Sequence, residues 1–200
     1  NRYTAGFGET FQLCDLRWGI DTTKNSEEES TMKILNVCFD SINRSTPFFV
    51  VMIGDRYGWI PPSETEQNIE RYGLSYHGQS VTEMEIEYQN IVSADKTCRA
   101  VYFFRESLPA DKMTDENKAL YFNTEMDKQE KLERLKEKIR RENPGRVFTY
   151  TATWNENDQS YSTEEFSSVV IEQLENIIGD IFKGTPCLSP EERVINESAA

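Results

Sequence analysis

The chain has 200 residues and a mass of 23.2 kDa, the size of one ordinary layered domain. Its 22 basic and 35 acidic side chains leave a formal charge of −13, which repels phosphate backbones and anionic lipid. The seven basic residues of 128–141 are interleaved with three acids and offer no clear patch, so neither nucleic acid nor a membrane is an expected partner.

A hydrophobic fraction of 37% is low, but 11 Phe, 9 Tyr and 3 Trp can fill a core. The longest apolar run, 47–53, falls far short of the roughly 20 residues that span a bilayer. The sequence shows no leader pattern of a basic start and a cleavage site. Cys14, Cys38, Cys98 and Cys187 are widely spaced, with no C-x-x-C, which favours reduced thiols in a cytoplasmic protein over a disulfide framework or a metal site. With His77 the only histidine, a centre needing two imidazoles is excluded. The sequons at Asn43 and Asn196 are chance matches in such a compartment.

In chain order, 10–16 (TFQLCDL) alternates and predicts a strand. Ser26 and Glu29 form a capping-box pattern, and Met32, Leu35, Phe39 and Ile42 continue it at helical spacing to about Asn43. Residues 48–53 (FFVVMI) predict a strand buried on both faces, as in a parallel sheet. The segment 54–79 is too long for a plain connection and reads as a functional or partly ordered loop. A helix is expected over 80–92 and a strand over 99–104, followed by an irregular or weakly helical stretch, 105–124. A charged helix over 125–142 carries a narrow stripe of Met126, Leu132, Leu135 and Ile139. Its expected i,i+4 pairs are Asp127–Lys131, Glu130–Arg134 and Glu137–Arg141. Asn143-Pro144-Gly145 ends it, and 146–151 predicts a strand. Ser162 and Glu165 read as another capping box, before a helix with Phe166, Val170, Leu174, Ile177 and Ile181 on one face. Strands alternating with helices give an α/β fold with a mostly parallel sheet, one domain over 1–183 and a linker or tail over 184–200.

In open α/β sheets, ligands bind beyond the carboxyl ends of the strands. Three segments fall there: Asp15 to Gly19, Gly54 to Trp59, and the helix start at Ser80. They gather Arg17, Trp18, Asp55, Arg56, Tyr57, Trp59, Glu83 and Glu85 as candidates, because aromatic faces stack on heterocycles, arginines pair with phosphates, and a carboxylate steadies developing positive charge. Each also has a plain reading. Ser80 and Glu83 form a capping box, Glu85 can be a solvated face, and the tryptophans can be packing residues. The arginines can pair with Asp15, Asp55 or surface acids, and His77 is a solvated loop residue. Residues 54–58 lack the Lys-Ser/Thr of a P-loop, which argues against NTP hydrolysis.

The runs DLRWGI (15–20), PFFVVMIGDRYGWIP (47–61) and SVTEMEI (80–86) resemble a TIR-like domain of unknown function, of the DUF4062 type. That domain stands ahead of NACHT nucleotidases in multidomain proteins of the telomerase-associated, nephrocystin and NACHT–WD-repeat kinds. Residues 99–105, 131–136 and the final helix are similar to it as well. The resemblance implies a flavodoxin-like, TIR-like three-layer sandwich. The family's opening strand, with its Ile-Ser-Ser-Thr-Phe-like motif, has no counterpart, so the numbered chain is expected to begin inside the domain. The tail after Phe182 resembles the linker towards the NACHT module.

The resemblance further implies a signalling module that works by self-association or by contact with an adjacent NACHT domain. Some TIR domains instead cleave the nicotinamide–ribose bond of NAD with a glutamate on the helix after the third strand. Glu85 falls in that place, with Val81 where the pattern has an aromatic. NAD as a substrate, or a nucleotide sensed without turnover, is then the implied ligand; no metal is implied.

Overall fold

The computed structural model describes residues 26–45, 48–63, 66–92 and 99–183. The predicted strand at 10–16, Arg17, Trp18, three of the four cysteines and the tail beyond 183 lie outside the described residues. Contacts divide the chain into two compact units: Leu16–Phe166, and Asn1–Asp15 together with Ser167–Ala200.

Within the larger unit the elements are α1 (Glu27–Arg44), β1 (Phe48–Ile53), α2 (Glu66–Glu70), α3 (Val81–Val92), β2 (Arg99–Arg105), α4 (Asp115–Tyr121), α5 (Met126–Glu142), β3 (Val147–Tyr150), β4 (Thr153–Asn155) and β5 (Ser160–Ser162). α6 (Glu164–Ile181) begins here and continues into the smaller unit. β1, β2 and β3 form a parallel sheet in that order, with Phe48 opposite Arg99 and Tyr102 opposite Val147. Each parallel neighbour is reached through a helix, α3 and then α5, as parallel pairing requires.

The capping box at α1 forms as expected. Ser26 Oγ accepts the Glu29 N–H at 3.2 Å, and the Glu29 carboxylate accepts the Ser26 N–H at 2.9 Å. The predicted stripe of α1 packs Leu35, Phe39 and Ile42 against Met84 and Tyr88 of α3, with Ile69 and Leu74 from the long loop. The other side of α3 turns Ile86 to the sheet, beside Val51, Ile53, Tyr102 and Phe104, where α5 adds Leu132, Leu135 and Ile139. Tyr57, Ile69 and Leu74 thus bring the described part of 54–79 into the core, with one short helix among its described residues.

Several expectations are corrected. β1 is buried on one face only: Val51 and Ile53 are covered, while Val50 and Met52 are 41% and 59% exposed. β2 is the strand packed on both faces, its reverse side carrying Phe103 against Phe148 and Phe166. Met126 is 81% exposed and lies off the α5 stripe. The expected i,i+4 pairs of α5 give way to better-placed partners: Lys131 reaches the Gly78 carbonyl, Arg134 the Glu130 carbonyl and Arg141 the neighbouring Glu142. Ser162 Oγ accepts the Glu164 N–H, and Glu165 turns away to accept the Thr151 N–H at 3.2 Å, so the second capping box is not made. Between β3 and α6 the chain inserts the antiparallel β4–β5 hairpin, with Trp154 opposite Tyr161. Its aromatics cover a small cluster of Leu108, Met113 and Ala152.

No described helix is long and apolar enough to cross a membrane, and no metal-binding cluster is found among the described residues.

Candidate functional site

β1 delivers its last residues to the carboxyl edge of the sheet, and 54–59 turns there over the start of α3. Gly54 is needed for close approach: a Cβ on it would stand 2.9 Å from Nη2 of Arg105. That guanidinium, at the end of β2, donates to Oδ2 of Asp55 at 2.8 Å in a buried ion pair. The Leu108 N–H donates to the same oxygen at 3.3 Å, and the ring of Tyr161 lies 5.0 Å from the guanidinium carbon. Asp55 thus ties two strand ends together and takes no part in a pair with Arg56. Arg56 is exposed and donates through Nη1 to the Leu120 carbonyl at 3.0 Å.

Tyr57 is almost wholly buried. Asn123 holds the backbone around it, accepting the Tyr57 N–H at 3.0 Å and donating to the Asp55 carbonyl at 3.3 Å. The Tyr57 hydroxyl accepts the Ser80 N–H at 3.2 Å and donates to the Glu83 carboxylate. Burial, then the hydrogen bond and charge of Glu83, hold this phenol well above the ordinary tyrosine range. Ser80 Oγ accepts the Glu83 N–H at 3.2 Å, so one half of the predicted box is direct and the other passes through the phenol. The Val81 N–H donates to the Trp59 carbonyl at 2.9 Å. Gly58 adopts φ +102°, a backbone conformation that a side chain would strain although the space towards Thr82 and Ser80 would admit a Cβ.

Three N–H groups at the start of α3 are therefore answered from within the chain. A phosphate arriving there would have to displace a protein acceptor and lie beside Glu83, so this helix start is not a vacant anion seat. Behind it, buried Gln79 accepts the His77 N–H at 2.7 Å and donates to the Ser75 carbonyl at 2.7 Å. Lys138 reaches Glu87 at 2.9 Å and ties α5 to α3. Burial disfavours that ammonium, yet the acids around it, Glu87 first, leave its pKa above the usual lysine value.

Glu85 lies about 200° around the helix from Glu83. Its carboxyl meets the Cys38 thiol on α1; burial pushes its pKa up, and the thiol's hydrogen bond offsets part of that rise. Cys38 is buried and forms no disulfide. The structure thus brings Asp55, Tyr57, Glu83 and the Trp59 backbone together at the edge, and turns Glu85 the other way. The Trp59 ring is 47% exposed. Sequence reasoning missed Arg105, Asn123 and Cys38 as partners. The one available signal was a cation closing the apolar run RAVYFF.

A model of a domain of unknown function, DUF4062, matches residues 10–165. The chain is similar to telomerase protein component 1 of Mus musculus, at 25% identity over 173 residues, covering 82% of this chain and 6% of that protein. It is also similar to a TPR repeat-containing protein of Dictyostelium discoideum, at 26% identity over 166 residues, covering 76% of this chain and 10% of that protein. The chain therefore spans a tenth or less of the length of these curated relatives. No solved structure matches it. With most of its length under that family model, the chain belongs to the DUF4062 family of domains.

Proposed function

We propose that this chain is a TIR-like, flavodoxin-like interaction module at the N-terminal side of a larger, cytoplasmic NACHT-type protein, acting through self-association or contact with the adjacent NACHT domain. The carrying observation is that the relatives hold the segment as 6–10% of much longer chains, one named as a component of telomerase and one as TPR repeat-containing. The order β1-β2-β3 supports the fold assignment, since three consecutive parallel neighbours fit strands 3, 4 and 5 of a 2-1-3-4-5 sheet. The edge chemistry agrees, because Asp55 and Glu83 are engaged in internal bonds that hold a loop in place. Light scattering over a wide concentration range, with and without the neighbouring domain, should show a rising mass or a complex. A chain that stays monomeric and binds no neighbour ends this reading.

One observation favours a second reading, an NAD glycohydrolase: a partly buried carboxyl with a raised pKa on the helix after β1. Glu85 would steady the ribosyl oxocarbenium as nicotinamide leaves and water adds to C1′, while an indole such as Trp59 stacks on a base. The Cys38 contact would have to open for this. Nicotinamide release from NAD that Glu85→Gln abolishes supports it; no release at high protein concentration ends it.

A further inference from the structure

Three of the large apolar side chains left in water belong to one network of loops at the carboxyl edge: Trp59 at 47%, Leu120 at 59% and Met126 at 81% exposure. Arg56 clasps the Leu120 carbonyl, and Asn123 clasps both Asp55 and Tyr57. Asn123 also donates to Gln129 one turn into α5, just past Met126. The platform is thus held by hydrogen bonds before anything docks, which lowers the ordering cost of association. Trp, Met and Arg are among the side chains enriched at protein interfaces.

The charge around them selects the occupant. Residues 115–130 carry five acids and two lysines, and both lysines are paired, with Asp115 at 3.1 Å and Glu125 at 2.7 Å. Glu116, Asp127 and Glu130 are exposed as well and outnumber Arg56, which bonds a carbonyl rather than an acid. A second copy, itself at a net charge of −13, offers this acidic edge no complementary charge, so self-association would use another face.

Resting on the interaction reading, we infer that the edge formed by Trp59, Leu120 and Met126 docks a cationic amphipathic segment of a partner, apolar anchors on the three side chains and basic residues on the surrounding acids. The probe is an 18-residue Leu/Lys amphipathic peptide, with a Gly/Lys peptide of equal charge as control, each titrated into the full chain by NMR and fluorescence. The Leu/Lys peptide should bind at least about tenfold more tightly, with shifts centred on 56–59 and 120–129. The triple variant Trp59→Ala, Leu120→Ser, Met126→Ser alters only exposed side chains and should bring that advantage below about threefold. Equal affinity for both peptides, an advantage kept by the triple variant, or shifts centred on Val50 and Met52 would each overturn the inference. If the chain also self-associates or binds its neighbouring domain in the light-scattering test, the interaction reading survives that failure.

Discussion

The carboxyl edge of the sheet and the seam between α1 and α3 both take acidic side chains out of water, with different company. At the edge, Asp55 receives a guanidinium and a backbone N–H, and Glu83 receives a phenol already fixed by the Ser80 N–H. In the seam, Glu85 meets a thiol, among the weakest donors a side chain offers. The edge acids are therefore structural acceptors that fix loop 54–59 in one geometry. The seam acid keeps a desolvation cost that the thiol relieves only in part, and with it a raised pKa. Both glutamates sit near the start of one helix, so their availability for chemistry is decided by the donors that each face meets.

The sharpest way to break this contrast is to remove the edge cation. Arg105→Leu strands Asp55 in a buried site with one N–H, and should cost about 3–5 kcal/mol in chemical denaturation. The double change Asp55→Leu with Arg105→Met should recover most of that loss, because paired removal leaves no orphan charge. A cost below about 1 kcal/mol for Arg105→Leu would place the pair among weak surface bridges and erase the distinction. Next in size is Tyr57→Phe, which takes the acceptor from the Ser80 N–H and the donor from Glu83. About 1–3 kcal/mol is expected, with faster hydrogen exchange at the first turn of α3. Exchange and stability unchanged from the parent would mean that the phenol is a bystander.

How much of this was readable beforehand follows the range of each interaction. The helices α1, α3, α5 and α6 and the strands β1, β2 and β3 announce themselves through local patterns, such as FFVVMI or the Leu35-Phe39-Ile42 stripe. The box at Ser26 and Glu29 spans three residues and formed as read. The same pattern at Ser162 failed because the Thr151 N–H, brought near by the fold, takes Glu165. Burial of β1 on both faces was inferred from an apolar run, yet burial depends on what covers the sheet, and Val50 and Met52 stand exposed. The β4–β5 hairpin has three-residue strands, too short for periodicity to register. The loop Gly54 to Trp59 was rightly singled out as the edge segment, but its partners Arg105 and Asn123 lie about 50 and 66 residues away, where spacing carries no information.

The smallest expected effect tests the seam itself. A carboxyl whose pKa rises on folding binds its proton more tightly in the folded chain. The stability this contributes is fully present below the unfolded carboxyl value and is lost as pH climbs through the folded one. Above the unfolded carboxyl value the parent therefore bears a cost of burying this group that Glu85→Gln does not. The variant should melt slightly higher near pH 7, by less than about 1 kcal/mol. Its advantage should shrink as the pH falls through the ordinary carboxylate range, below which Glu85 is protonated in both states. Cys38→Ala removes the thiol that partly supports the charge, so the gain from Glu85→Gln should widen in that background. Melts between pH 4 and 8 on the four proteins of this cycle read the effect directly. An advantage that stays constant with pH, or that ignores Cys38, would mean that the seam treats its acid no differently from water, and the contrast with the edge would fall.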